Sequence, residues 1–237
     1  MSSGPSFAPG RADAASALRS TTRRMPISWT WGPASWNRGR TATMGTAFCW
    51  RAVSGRLVRA RSFGSTVAAA DLSSFGDLLA TRGAEGCELV SLAAVTDRPE
   101  ELYRLDAAAL ADVPTTYSED DIRLEDWLTE VLGHPQLSHE GSYVVLAGGT
   151  PAAYAFLHVD TAGRVAANDM TGTHPDHRRG GLAKLAKLGT IAWARERGYE
   201  TIYTDTDQEN AGMLHLNRSL GYRSVGTETQ YLREDLR

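Results

Sequence analysis

Long hydrophobic runs are absent from this chain of 237 residues: no stretch of about 18 apolar residues occurs, which excludes a membrane-spanning helix. Cysteine is scarce. Cys49 and Cys87 alone make neither a disulfide framework nor a four-cysteine zinc site. Lysine is missing from residues 1–70, where ten Arg face a single acid, Asp13. Ile, Leu and Val are thin there too, so burial cannot offset the entropy of ordering. Residues 1–70 are therefore expected to form a poorly ordered or non-native Arg-rich extension. Three readings fit that composition: a targeting segment, a basic arm for nucleic acid or an acidic surface, and translated GC-rich DNA outside its natural frame. The net charge of −3 hides the split, which is +9 for residues 1–70 and −12 for residues 71–237. The acidic remainder argues against nucleic-acid binding by the folded part and would draw cationic partners.

Organised patterning begins near Asp71. Asp71–Ala80 reads as an Asp-capped lead-in helix with Leu72, Phe75, Leu78 and Leu79 on one side, within a segment 71–85 that Gly83 and Gly86 break. Cys87–Leu92 is a strand candidate, in which Cys87 is expected to be a small buried residue. Arg98–Leu110 opens with Pro99 and acids in its first turn, and Asp120–Leu132 is a second acid-fronted helix. The period then changes. Ser142–Ala147 and Ala152–Val159 read as a hairpin about Gly148–Pro151, and Arg164–Thr173 as a third strand. A long helix to about Arg197, a strand Thr201–Thr204, a helix Asn210–Leu220 and closing strands near Tyr222–Val225 and Thr227–Leu232 follow. That order predicts an α/β fold: a mixed, mostly antiparallel sheet with helices on both faces.

The most informative segment is Met170–Leu188. A strand ends, Pro175 halts it, and Arg178-Arg179-Gly180-Gly181 opens a helix. The first turn of a helix leaves N–H groups without partners and carries positive potential. Glycines let that backbone approach an anion, and Arg adds charge, so the segment suits a phosphate or pyrophosphate. A Gly-rich helix start with two solvated Arg is the plainer reading. The loop is neither a Walker loop nor a dinucleotide fingerprint, since the required Gly-Lys-Ser/Thr and Gly-x-Gly-x-x-Gly spacings are absent. His174 and His177 lack a third ligand and no metal is expected. Downstream, Asn210 is a good helix N-cap, Met213, Leu216 and Leu220 share a helical stripe, and Gly221 ends the helix before Tyr222.

Together, Arg178-Arg-Gly-Gly181-Leu182-Ala183 and Asn210-x-x-Met-x-x-x-Asn217-x-x-x-Gly221-Tyr222 resemble the GNAT superfamily of N-acetyltransferases over residues 86–237. The pattern is most similar to the second repeat of the mycothiol-synthase-like two-repeat type; no second loop of this kind occurs in residues 1–70. The resemblance implies a splayed sheet with acetyl-CoA in the gap. It implies that the backbone of Thr171, Gly172 and Thr173 pairs with the pantetheine arm and that the N–H groups from Arg178 or Arg179 through Gly180, Gly181 and Leu182 to Ala183 hold the pyrophosphate. Asn210 and Asn217 would lie near the cofactor. The implied reaction is direct acetyl transfer to an amine, with a small-molecule acceptor expected, in the cytoplasm, without nucleic acid, membrane or metal. Asp169 is the candidate base and Asp205 the second. Many relatives have Tyr where this chain has Asn217, so Tyr222 or Tyr203 would be the acid, or the thiolate leaves unassisted. A non-catalytic acetyl-CoA-binding or sensing domain is the alternative.

Overall fold

The computed structural model describes residues 58–111 and 123–230, with the side chains of 62–111 and 123–226. Seven strands form one sheet in the order β2-β3-β4-β5-β6-β1-β7. They are β1 Val58–Thr66, β2 Cys87–Ser91, β3 Tyr143–Ala147, β4 Thr150–Asp160, β5 Val165–Thr173, β6 Thr201–Asp207 and β7 Arg223–Gln230. Every neighbouring pair is antiparallel except β5 and β6, which run parallel. The predicted mixed, mostly antiparallel α/β architecture is what the described residues form.

Helices cover both faces. Strand residues alternate between the faces, and β4 is buried on both: Ala153, Ala155 and Leu157 face one way, Tyr154 and Phe156 the other. On the first face lie α1 (Phe75–Ala84), α4 (Leu182–Glu196) and α5 (Ala211–Ser219); Leu185, Leu188 and Ile191 of α4 pack with Val145, Leu157 and Ile202. On the second lie α2 (Pro99–Leu110) and α3 (Leu124–Trp127), with Leu102, Leu105 and Trp127 against Val144, Tyr154 and Phe156. Pro99 at the start of α2, where its missing N–H costs nothing, follows the predicted pattern.

Several elements differ from the sequence reading. Val58–Thr66, inside the stretch expected to lie loose, is a strand between β6 and β7, paired from Ala60↔Asp207 to Thr66↔Thr201 on one side and from Val58↔Gln230 to Gly64↔Arg223 on the other. Composition averaged over 1–70 hid it. Its burial comes from one aromatic, Phe63, and from Val67 just after it, each 1% exposed; ladders on both edges satisfy its backbone. Gly64 lets Tyr203 approach, since a Cβ there would meet that ring at 2.9 Å. Arg195 of α4 then donates to the carbonyls of Val67 and Ala70 at 2.9 and 2.7 Å. The sheet thus starts before the boundary expected at residue 70, while residues 1–57 lie outside the described chain. The two closing strands are one strand, β7, because β1 takes the place of a hairpin partner.

Asp71 does not cap α1. It accepts from the Ser73 N–H at 2.8 Å in a tight turn, and the helix starts at Phe75 and runs through Gly83. The predicted Asp120–Leu132 helix is described only from Leu124, with a π-helical continuation over Leu128–Leu132. Among the described residues no helix is long and apolar enough to cross a membrane. Phe63→Ala should lower unfolding stability by roughly 3–5 kcal/mol, the usual cost of emptying a buried aromatic site. Denaturant midpoints measure this, and a chain begun at Asp71 should lose its cooperative transition altogether.

Candidate functional site

The sheet opens between β5 and β6. These strands pair only from Val165↔Thr201 to Asn168↔Thr204. Beyond that point β5 stays with β4 as far as Thr173, and β6 stays with β1 as far as Asp207. A bulge accompanies the parting: Ala155 pairs with Thr171 and Leu157 with Asn168, so Asp169 and Met170 together face Phe156. A bulge bends its strand and re-aims its side chains. The result is a fork with Asn168 and Thr204 at its apex and with Asp169 and Asp205 as the first residues on its two walls.

A groove of about 840 Å³ lies at the open end of the fork, within the size range of small-molecule sites. Thr171, Gly172 and Thr173 of β5 line it, with Arg178, Arg179, Gly181, Leu182 and Ala183 at the start of α4 and Asn210 and Met213 of α5. Gly180 belongs to the same turn. Gly181, at φ 76°, is the N-cap of α4, with no side chain capping that terminus. Arg179 also has positive φ, 62°, uncommon for a residue with a side chain and costing about 1–2 kcal/mol. The first helical hydrogen bond runs from the Leu185 N–H to the Gly181 carbonyl, leaving the earlier N–H groups outside the helical ladder. Arg178 Nε donates to the Thr173 carbonyl at 3.3 Å, which fastens the loop to β5. Gly172 makes room for the groove wall, since a Cβ there would meet Ala109 and Tyr154 at 2.6 Å. Asn210 caps α5 by accepting from the Met213 N–H at 3.0 Å. His174 accepts from the Asp176 N–H at 3.4 Å and serves the turn Pro175–His177. These residues fit a diphosphate: free N–H groups, positive charge and a strained backbone meet at one mouth.

Asp169, the candidate base, stands on the wall of the fork with its side chain 12% exposed. Burial and the neighbouring Asp205 push its carboxyl up to about 7. Asp205 keeps an exposed edge, yet partial burial raises it too, against a hydrogen bond from Ser62 that lowers it. His158 Nε2 lies 3.9 Å from Asp169 Oδ2 and stacks on His134 at 4.5 Å. Burial holds both imidazoles down at about 4, so at neutral pH they are uncharged. Asp106 of α2, fully buried, accepts from the Tyr154 hydroxyl and from Trp127 Nε1, the latter at 2.7 Å; burial raises its carboxyl as well.

Three candidates do not line the groove: Asp169 stands further in along β5 than Thr171, and Asn217 and Tyr222 lie behind the fork. Asn217 is 0% exposed, accepting from Lys187 at 2.7 Å and donating to Thr206 at 2.8 Å. Tyr222, 2% exposed, donates to Asn168 Oδ1 at 2.8 Å, and burial pushes its hydroxyl well above the usual range. A phenol so placed packs the core and does not reach the groove, which removes the geometric basis for Tyr222 as the acid. Sequence reasoning missed His158, Asp106, Tyr154 and Lys187. They come from separate elements, and no local spacing links them.

The model of the Acetyltransferase (GNAT) family matches residues 100–222, and the chain belongs to that family. Among curated relatives, a mycothiol acetyltransferase of Thermobifida fusca is 28% identical over 141 residues, covering 56% of this chain and 42% of that protein. One from Saccharomonospora viridis is 34% identical over 62 residues, covering 26% of this chain and 20% of that protein. The matched stretch thus spans less than half of either relative. Among solved structures, a GCN5-related N-acetyltransferase from Sphaerobacter thermophilus is similar in fold, with a TM-score of 0.53 at 14% identity over 77% of this chain and 55% of that one. So is a tandem GNAT protein from the clavulanic acid biosynthesis pathway, with a TM-score of 0.52 at 15% identity over 74% and 54%.

Gly181→Glu tests the cradle. The variant should stay folded, with a cost of about 1–2 kcal/mol for a side chain at positive φ, while the thermal shift produced by coenzyme A disappears. An equal shift in both proteins would place the diphosphate elsewhere.

Proposed function

We propose that this protein is an acyl-CoA-dependent N-acetyltransferase that passes the acetyl group of acetyl-CoA directly to the amine of a small molecule. One observation carries the reading: a carboxyl pushed up to about 7 stands on the wall of a fork whose mouth is an N–H cradle. The N–H groups of Leu182 and Ala183, with Arg178 and Arg179, hold the diphosphate. The inner edge of β5 from Thr171 to Thr173 aligns the extended arm through its backbone groups. The bound thioester supplies the activated acetyl group. Asp169 takes the proton from the acceptor, whose alkyl ammonium has an ordinary pKa near 10. A carboxyl that titrates near neutrality suits such a base better than an ordinary aspartate. Backbone N–H groups would stabilise the developing oxyanion. Asp205 stands on the facing wall, and a pair of carboxyls there suits a cationic acceptor better than an anionic one.

The burial of Tyr222 favours a second reading, an acetyl-CoA-binding domain without turnover, because neither that phenol nor Tyr203 lines the groove, where a leaving thiolate would be protonated. Release of coenzyme A across a panel of amines separates the two. Asp169→Asn should keep coenzyme A binding and lower kcat by about 10²–10⁴-fold, the usual worth of a general base. The base works as a carboxylate, so wild-type kcat/KM should rise with pH through about 7 and fall away on the acid side. A flat profile, or an Asn variant of undiminished activity, would refute the assignment.

A further inference from the structure

The chain contains two lysines, Lys184 and Lys187, both in α4. Lys187 is 0% exposed. Its Nζ donates to Asn217 Oδ1 at 2.7 Å and Thr204 Oγ1 at 3.5 Å, and lies 5.1 Å from the centre of the Tyr222 ring. Among the described residues no carboxylate pairs with it. The groups around it are Thr204 and Thr206 from β6, Asn168 from β5, Asn217 from α5, Thr190 from α4 and Tyr222; of these only Tyr222 titrates, and burial keeps it neutral. Burial alone pushes the ammonium down, to about 7. Lodging a cation among neutral dipoles is costly, and an apolar side chain of similar volume would serve packing at less cost.

The position of this cation relates it to the fork. Thr204 and Asn168 are the last paired residues of β6 and β5, and the Thr204 hydroxyl donates to the Asn168 carbonyl at 3.0 Å. A second chain of donors runs from Lys187 through Asn217 Nδ2 to Thr206 Oγ1, and from there to the Asp205 carbonyl at 2.8 Å. Both chains point away from the ammonium; the first ends at the apex of the fork, on Asn168, and the second on the β6 wall, at Asp205. Hydrogen bonds aligned in this way carry polarisation outward from the charge.

We propose that Lys187 is a positioning residue of acetyl transfer: held behind the apex by Asn217 and Thr204, its ammonium supplies positive potential where the coenzyme A thiolate departs. The inference rests on the N-acetyltransferase reading above. In the step, the acceptor nitrogen forms the new bond to the acetyl carbon, the C–S electron pair leaves on sulfur, and the proton from nitrogen goes to Asp169. Lys187 transfers no proton; it acts on the sulfur through Asn217, Thr204 and the peptide groups they hold.

The ionisation of the coenzyme A thiol on the protein tests this. Thiolate absorbance in the ultraviolet is titrated for bound coenzyme A, as a difference from protein alone, in wild type, Lys187→Met and Lys187→Arg. Because the ammonium itself loses its proton at about 7, the effect is read at and below that pH: thiolate should already appear there on wild type, where a thiol of ordinary value near 8.5 is almost wholly protonated. Lys187→Met should bring it back to that value or above, and Lys187→Arg should restore the depression. A thiol that ionises at or above the ordinary value on wild type overturns the proposal, whether or not the variants fold. A Met variant that binds coenzyme A with a wild-type titration also overturns it and makes Lys187 a packing residue. Both results leave the acetyltransferase reading intact, whereas failure of wild type to bind coenzyme A removes that reading and this inference together.

Discussion

The site exists because a hydrogen-bond ladder stops early. Parallel strands that pair as far as Asn168 and Thr204 would ordinarily continue, and had they done so the sheet would offer no gap. Each strand is instead held by its other neighbour, β5 by β4 and β6 by β1, while the bulge at Asp169–Met170 turns β5 away. The parting leaves backbone N–H and C=O groups along two inner edges, and such groups need partners. An extended ligand that carries its own amides meets that need as an added strand would. It follows that β1 is part of the site's construction, because without it β6 would have no ladder on its outer edge.

The fork divides the electrostatics of the sheet. Adjacent strand residues point to opposite faces, so Asn168 and Asp169, like Thr204 and Asp205, send their side chains apart. The carboxyls lie on the side of α2, near the His158–His134 stack and the Asp106–Tyr154 pair. The buried cation lies on the side of α4, where Asn217, Thr190 and Tyr222 complete a polar cluster in an otherwise apolar layer. Such a cluster restricts how α4, α5 and the two strands pack, because a shifted arrangement would leave a buried polar group without a partner.

What the sequence made legible was local. The anion loop could be read because its parts are consecutive: a strand end, a proline, two arginines, two glycines and a helix start within residues 173–183. The cap at Asn210 was visible for the same reason. Burial direction was not, because a helix of nine residues such as α5 can turn Asn217 to the groove or to the sheet at almost the same apparent periodicity. Tyr222 misled similarly; a strand-end tyrosine is polar enough to suggest chemistry and large enough to fill a core. The strand β1 escaped because its alternation is interrupted by Ser62 and Gly64 and its membership in the sheet depends on partners more than 130 residues away. Lys187 lay in plain view beside the loop, yet nothing in its neighbours indicated that it points inward.

The central claim is that the fork holds coenzyme A with its diphosphate on the first turn of α4 and its sulfur between the two walls. A crystal structure of the complex tests it most directly. The account predicts diphosphate oxygens within hydrogen-bond distance of the Leu182 and Ala183 N–H groups and the sulfur lodged between Asp169 and Asp205 near Asn168 and Thr204. A diphosphate bound away from α4, or a fork closed by continued pairing of β5 with β6, would contradict it.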